Sequence, residues 1–460
     1  MLIDTSYYHR RKYQTLQFLI PPNKSILYYG ERLYDQFRKL QPCECVVIQQ
    51  NKNLDPLAHD QYKDCQVIHL PYMEYKPKQT FDYIILDGAI GETNDICQLL
   101  THIRLGCAKS TRVIVYQHNY LWQGLINLGT FLKLKKKDRV QNWLSLRDLK
   151  SCLSGMSFQL VRKFRKTIFP IKFIFVGPLL NWLTDWIPLL DLLKLDQFII
   201  ARPVFKIPTG AEGHKSLSIV ITVRNEEKNI ELIVKSFRKF SSQQEVIFVE
   251  GHSTDGTRAA VERMIQHYPE KNIKLLSQPG IGQGDAIRTG FKEAAGDIVI
   301  LFEGDGTSQF EDVQYFYDTM KEDNFEFIEG SRFIYPLDTI TMPLINKIGN
   351  IFFARWFSIF LGQHVTDVLS GIKAISKREF DLIDQSWGFV GDEDPFGDFE
   401  LLYGAIRYGL KFCEIPMQYK PRQYGKSKTK VFGHGSYLFK MAIKGFFLFR
   451  STSISNKNIS

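Results

Sequence analysis

Long uncharged apolar runs are missing from this sequence: no segment strings together 18 or more such residues, so no membrane-spanning helix is expected. The first residues, Met-Leu-Ile-Asp-Thr-Ser-Tyr-Tyr-His-Arg-Arg, hold no apolar core of the kind a secretory signal needs, so none is expected. Cysteine is sparse: there are seven, six of them before residue 153, and Cys43 with Cys45 is the only close pair. With an odd number and no second pair at zinc-ligand spacing, reduced thiols in a cytoplasmic setting are expected. Lysine and arginine form no long stripe, which argues against nucleic acid as a partner. The net charge of +10 leaves phosphate groups and an anionic membrane surface open.

What is present is the composition of an ordinary globular protein, 44% hydrophobic and 23% charged. A chain of 460 residues exceeds the size at which one core keeps growing, so two α/β domains are expected, at 1–205 and 217–460, with a linker at 206–216. In the first, short apolar strands at Ser25 to Tyr29, Cys45 to Ile48, Phe81 to Leu86 and Arg112 to Tyr116 alternate with helix-length segments, which argues for a doubly wound sheet. Phe169 to Arg202 is aromatic and apolar but broken by Pro178, Asp185, Pro188 and Asp191, and it reads as an amphipathic cap or an interfacial membrane contact.

The second domain opens with a strand at Leu217 to Val223, followed by a helix from about Lys228 to Phe240. Strands at Glu245 to Val249 and Ile273 to Leu276 come next, with Ser253 and Asp255 as helix-start residues and a glycine-rich stretch at Gly280 to Gly290. The apolar run Asp297 to Phe302 stops at Glu303, Gly304, Asp305 and Gly306. Two carboxylates two residues apart at the carboxyl edge of a parallel sheet suit a hard cation, Mg2+ or Mn2+, carrying a diphosphate. Later, Arg422 suits a bidentate grip on phosphate and Lys428 adds a point charge. Ile345 to Leu361 and Ser436 to Arg450 combine aromatics with cations and read as interfacial helices or as core packing.

Two resemblances follow from these residues. Phe81 to Gly88 (Phe-Asp-Tyr-Ile-Ile-Leu-Asp-Gly), the strand before His118, Asn119 and Tyr120, Gln141 to Ser145, and Gly155 to Phe158 resemble the class I methyltransferase fold. That likeness implies an S-adenosylmethionine site around Gly30 and Asp87. The sequence departs from it, having Gly30 as the lone glycine after the first strand and Gln49 and Gln50 where an acid would hold the ribose, so the domain reads as degenerate, binding S-adenosylmethionine weakly or not at all. Leu217 to Lys430 resembles the family 2 glycosyltransferases of the dolichol-phosphate mannose synthase type. The likeness rests on five motifs in order: Arg224 to Ile230, Glu250 to Thr257, Gly282 to Gly296, Glu303 to Gly306, and Arg422 to Lys428.

The second resemblance implies a GT-A type nucleotide-sugar-binding domain. It places Asn225, Glu226 and Glu250 at the nucleotide base, with Glu250 standing where an aspartate is usual. Asp255, Gly282, Gly284, Arg288 and Glu303 would lie along the donor, with Gln283 at a position where lysine is frequent. Glu303 and Asp305 would hold the metal, and Asp367 opens an acceptor-side segment. Asp398 and Glu400 fall where the family places acids near the acceptor, and Arg422 with Lys428 would steady the leaving diphosphate. The implied reaction is a metal-dependent, inverting transfer of a sugar from a nucleotide diphosphate to a lipid-phosphate or glycan acceptor, made in the cytoplasm or on the inner face of the cytoplasmic membrane. The alternatives are a bifunctional methyltransferase and glycosyltransferase, and a non-catalytic nucleotide-sugar-binding scaffold.

Overall fold

The computed structural model describes residues 3–4, 6–30, 35–50, 65–131, 142–170, 172–173, 176–205, 215–322, 325–333, 342, 344–390, 397–422, 424 and 431–450. The chain divides into two compact units, Met1–Ile207 with Arg450–Ser453, and Pro208–Phe449 with Ile454–Ser460.

The first unit is built on a seven-stranded sheet. Its strands are β1 (Ser25–Gly30), β2 (Glu44–Gln49), β3 (Cys65–His69), β4 (Phe81–Asp87), β5 (Cys107–His118), β6 (Phe158–Lys166) and β7 (Asp196–Pro203), in the order β3-β2-β1-β4-β5-β7-β6. The first five run parallel, and β7 is antiparallel to both β5 and β6. Alternation sorts the side chains: Leu27 and Tyr29 join the core on one face, Ile26 and Tyr28 the core on the other. The helices include α1 (Ser6–Leu19), α2 (Ile96–Leu105), α3 (Gln123–Phe131), α4 (Leu146–Gly155) and α5 (Val176–Asp185). The stretch Phe169 to Arg202 is therefore more than a cap. Its end, from Asp196, is β7, buried along its whole length between two partners. Sequence reasoning missed it because no turn residue separates Asp196–Pro203 from the apolar stretch before it.

The second unit holds β8 (Leu217–Val223), β9 (Gln244–Glu250), β10 (Ile273–Ser277), β11 (Ile298–Glu303), β12 (Phe327–Ser331), β13 (Ile372–Ser376) and β14 (Phe412–Pro416), in the order β10-β9-β8-β11-β13-β12-β14. All are parallel except β13, which runs against β11 and β12. This is a mostly parallel α/β sheet, the fold class expected from the sequence. The helices are α6 (Glu227–Ser236), α7 (Thr257–His267), α8 (Gln283–Glu293), α9 (Asp312–Lys321), α10 (Leu344–Leu361), α11 (Lys377–Asp384), α12 (Asp398–Arg407) and α13 (Val431–Arg450). Register sets the functional edge: Val223 lies opposite Glu250, Glu250 opposite Ser277, and Thr222 opposite Glu303, so four strands end together. Because β13 is reversed, it begins at that same edge, while β12 and β14 end there at Ser331 and Pro416. A parallel sheet with one reversed strand thus gathers seven loops on one side.

Candidate active site

Glu303 is the last residue of β11, and Asp305 follows after Gly304. A Cβ on Gly304 would sit 2.4 Å from a Val223 methyl carbon, so only glycine lets the turn fold back over the end of β8. Asp305 accepts from the Thr307 backbone N–H at 2.9 Å and its hydroxyl at 2.6 Å, which fixes one carboxylate oxygen. The other takes an Arg422 N–H at 2.6 Å. Arg422 also reaches Glu226 Oε1 at 3.3 Å, so one guanidinium bridges the loops after β8 and β11. It is delivered by the strand-like run after β14, where Gln418 donates to Asp312 at 2.9 Å and the Lys420 N–H donates to the Thr307 carbonyl at 2.9 Å.

Burial, then the neighbouring Asp305 and Asp398 carboxylates, push the Glu303 pKa up to about 7. Gln283, in the position where lysine is frequent, donates to Glu303 Oε1 at 3.2 Å. Among the described residues no three His, Cys, Asp or Glu side chains converge to hold a metal by themselves. A buried carboxylate crowded by two others does fit a hard divalent cation, provided a ligand such as a diphosphate completes the shell. Glu303 and Asp305 are the residues that would hold it.

The residues expected on the nucleotide side are braced by one another. Asn225, in the left-handed region at φ 52°, accepts the Thr254 N–H at 2.8 Å, and its own N–H donates to Ser253 at 3.0 Å. Glu226 is buried and accepts from Asn229 at 2.7 Å. The Glu250 carboxylate is also buried and takes the Ser253 N–H. Asp255 accepts from the Glu227 N–H at 3.3 Å and the Thr257 N–H at 3.0 Å, so it staples the starts of α6 and α7. Burial would raise its pKa, but these hydrogen bonds outweigh that and hold it below the usual carboxylate range. The expected donor residue is thus a helix-start staple in this structure.

Gly282 (φ 96°) opens α8, as expected of a residue where the chain must turn sharply at the sheet edge. Gly284 has a different use: a Cβ on Gly397 (φ 74°) would lie 2.7 Å from the Gly284 Cα, so two glycines let the start of α12 approach the start of α8. Arg288 turns away from the diphosphate position expected for it. It is ion-paired with Asp384 of α11 and packs over Trp387. Five residues on a helix advance the side chain by about 140° from Gln283, which faces the edge.

Asp398 and Glu400 separate for a similar reason, since residues two apart on a helix do not share a face. Asp398 points to the edge, 3.0 Å from Lys373 Nζ, whereas Glu400 is buried and accepts the Val390 N–H at 2.9 Å. Of the two acids expected on the acceptor side, only Asp398 therefore reaches the Lys373 ammonium at this edge. Lys428 lies outside the described residues, as do Gly391 to Phe396 and the linker residues 206–214.

Sequence reasoning missed a buried charged layer beneath this edge. Lys373 of β13, 1% exposed, reaches Glu329 of β12 at 2.9 Å, Asp398 at 3.0 Å and the Ser370 carbonyl at 2.7 Å. Burial would lower its pKa, but Asp398 and Glu329 outweigh that and hold the ammonium charged. Burial pushes the Glu329 pKa up to about 7, against the pull of Lys373. Beside this triad Arg332 grips the fully buried Asp367 at 2.6 and 2.8 Å and lies over the Tyr419 ring. The segment that Asp367 opens, expected on the acceptor side, is thus anchored by Arg332.

The sheet edge of the first unit is different. A Cβ on Gly30 would meet the Tyr28 ring at 2.7 Å, Gln49 is buried, and Asp87 is held by Lys12 at 2.6 Å and by the Tyr28 hydroxyl. A cavity of about 190 Å³ opens there, lined by Tyr8, Lys12, Asp87, Tyr116, His118 and Trp143 among others. It is smaller than the range of roughly 300–1,000 Å³ usual for sites that enclose drug-sized ligands.

Residues 218–380, a little over a third of the chain, match the profile of Glycosyl transferase family 2. The chain is 27% identical to Glycosyltransferase AglJ of Haloferax volcanii over 212 residues, 46% of this chain and 65% of that protein. It is 28% identical to the Dolichyl-phosphate hexose transferase of the same organism over 229 residues, 50% of this chain and 92% of that one. A UDP-N-acetylglucosamine--dolichyl-phosphate N-acetylglucosaminyltransferase of Methanococcus voltae is 26% identical over 185 residues, 37% of this chain and 73% of that protein. Among solved structures, glucosyl-3-phosphoglycerate synthase from Mycobacterium tuberculosis, crystallised with Mn2+, UDP and glucosyl-3-phosphoglycerate, aligns over 54% of this chain and 86% of that one, at 16% identity and a TM-score of 0.38. On the sequence match over residues 218–380, the second unit carries a family 2 glycosyltransferase domain.

Proposed function

We propose that this chain transfers a sugar from a nucleotide diphosphate to the phosphate of a polyprenyl lipid of the dolichyl type, by a single displacement with inversion. The observation that carries this reading is the bridge formed by Arg422 between Asp305 and Glu226 at the shared strand edge. A guanidinium resting on two acids at this edge is placed to turn onto a diphosphate as its charge develops. A divalent cation on Glu303 and Asp305 would supply further charge stabilisation to the leaving group. The glycine-started helix α8 presents backbone N–H groups at the same edge, where a diphosphate would be favoured.

An acceptor hydroxyl would require a general base, and the two acids expected to serve are otherwise engaged, Asp398 with Lys373 and Glu400 with the Val390 N–H. A lipid phosphate is already ionised and needs none. Two of the relatives are named for transfer to dolichyl phosphate, which supports the same choice. Helix α10 supports a lipid surface nearby: Ile345, Ile348, Phe352 and Ile359 are exposed at helical spacing along one side. In α13 the aromatics Phe446 and Phe449 are buried and the latter packs on Phe360 and Tyr403, so that helix serves the core with those rings. Among the described residues no helix is long and apolar enough to cross a membrane, and a peripheral contact is the arrangement we propose.

The test is a transfer assay with radiolabelled nucleotide sugars, Mg2+ or Mn2+, and either a short polyprenyl phosphate or the matching polyprenol. Transfer to the phosphate and not to the alcohol is expected. Equal transfer to both would overturn the acceptor assignment and return the search to a general base.

A further inference from the structure

We infer that α3 and the stretch 176–193 of the first unit form a docking surface for an anionic lipid bilayer, independently of the acceptor proposed above. Exposed large apolar side chains are concentrated there. Phe131 is 82% exposed and Leu189 75%, and Leu125, Leu128, Leu179 and Trp186 are all open to solvent. The two segments are stitched at their bases, Trp122 Nε1 donating to the Leu193 carbonyl at 2.8 Å and Asn119 Nδ2 to the Leu192 carbonyl at 2.8 Å. They therefore belong to one end of the unit, beyond the carboxyl end of β5. Exposed apolar side chains gathered on two adjoining segments in this way mark a binding surface.

Charge identifies the partner. Residues 119–131 contain no charged residue, and 176–193 contain only Asp185 and Asp191. Asp185 is buried against Lys194 at 2.7 Å, and Asp191 is paired with Lys194 at 2.9 Å and with Arg450, so neither presents a bare negative charge. The part of the chain that carries these segments is strongly basic: residues 1–205 hold 28 Lys and Arg against 17 Asp and Glu, while the remainder holds 31 against 32. The whole positive excess of the chain therefore resides in the part that carries the patch, which fits an anionic surface. Nine residues of α3 reach only about 14 Å, far short of the roughly 30 Å hydrocarbon core, so the helix lies in the interface. Trp182 and Trp186, at ring contact on α5 and just past its end, suit the headgroup level.

The experiment is sedimentation of the full chain with phosphatidylcholine vesicles, with and without phosphatidylglycerol. Wild type is expected to pellet only with phosphatidylglycerol and to be released by salt. The triple variant Leu125→Ser, Leu128→Ser and Phe131→Ser should lower the partition coefficient on the order of tenfold. Its nucleotide-dependent thermal shift should be unchanged, since those side chains are exposed in the other unit. A parallel variant in α10, Ile345→Ser with Ile348→Ser and Phe352→Ser, separates the two surfaces. If only the α10 variant loses binding, the inference fails and the lipid-acceptor reading stands. It also fails if the α3 variant pellets like wild type, if wild type stays in the supernatant at low salt, or if the α3 variant merely changes a dimer into a monomer by light scattering.

Discussion

Replacing Lys373 by methionine removes the cation from a buried layer and leaves Glu329, with no exposed surface, and Asp398, 8% exposed, without their ammonium partner. Methionine preserves most of the volume, so the effect reports charge. Removing one partner of a buried ion pair costs about 3–5 kcal/mol. For a unit of this size about 1 kcal/mol moves Tm by roughly 2–4 °C, so a drop of roughly 6–20 °C is expected. The sign of the pH dependence follows from Glu329. Its folded pKa is raised to about 7 by burial, above its unfolded value, so stability associated with its protonated form is complete below the unfolded pKa and is lost as pH rises through 7. Without Lys373 the raising effect of burial is unopposed, and the variant should recover more stability than wild type when taken from pH 8 to pH 5. Urea melts across that range measure both quantities. A variant within 1 kcal/mol of wild type, with a parallel pH profile, would refute the reasoning.

Two further outcomes are expected. Asp255→Ala should destabilise the fold by about 0.5–2 kcal/mol, the usual cost of a lost helix-start residue, with little change in nucleotide affinity; a large loss of affinity at unchanged stability would restore it as a donor contact. S-adenosylmethionine should show no micromolar binding by calorimetry, because Asp87 is engaged by Lys12 and Tyr28 and the space beside Gly30 is filled by the Tyr28 ring.

The strand edge was legible because each strand of the second unit is an apolar run that stops at polar residues, and parallel neighbours in register stop together. Glu303 and Asp305 could be found from that alone. Arg422 could be assigned to the edge only through its motif, since its partners Glu226 and Asp305 lie 196 and 117 residues away. The Lys373 layer was illegible. In Ser-Gly-Ile-Lys-Ala-Ile-Ser a lysine reads as a surface cation, and only the reversal of β13 between β11 and β12 turns it inward against Glu329. Arg288 and Glu400 were misplaced by helix phase: each follows a site-facing residue, Gln283 or Asp398, at a spacing that points elsewhere. In the first unit, β7 was hidden because its antiparallel insertion is a property of topology that its short apolar run does not announce.

The most direct test of the central claim is sugar transfer by Asp305→Ala. That residue meets Arg422 at 2.6 Å and stands beside Glu303, at the point where we propose that the donor diphosphate binds. With nucleotide sugar, divalent cation and polyprenyl phosphate supplied, wild type should transfer label. The variant should fall by at least about a hundredfold at an unchanged fold by circular dichroism. Transfer by the variant at the wild-type rate would contradict the account.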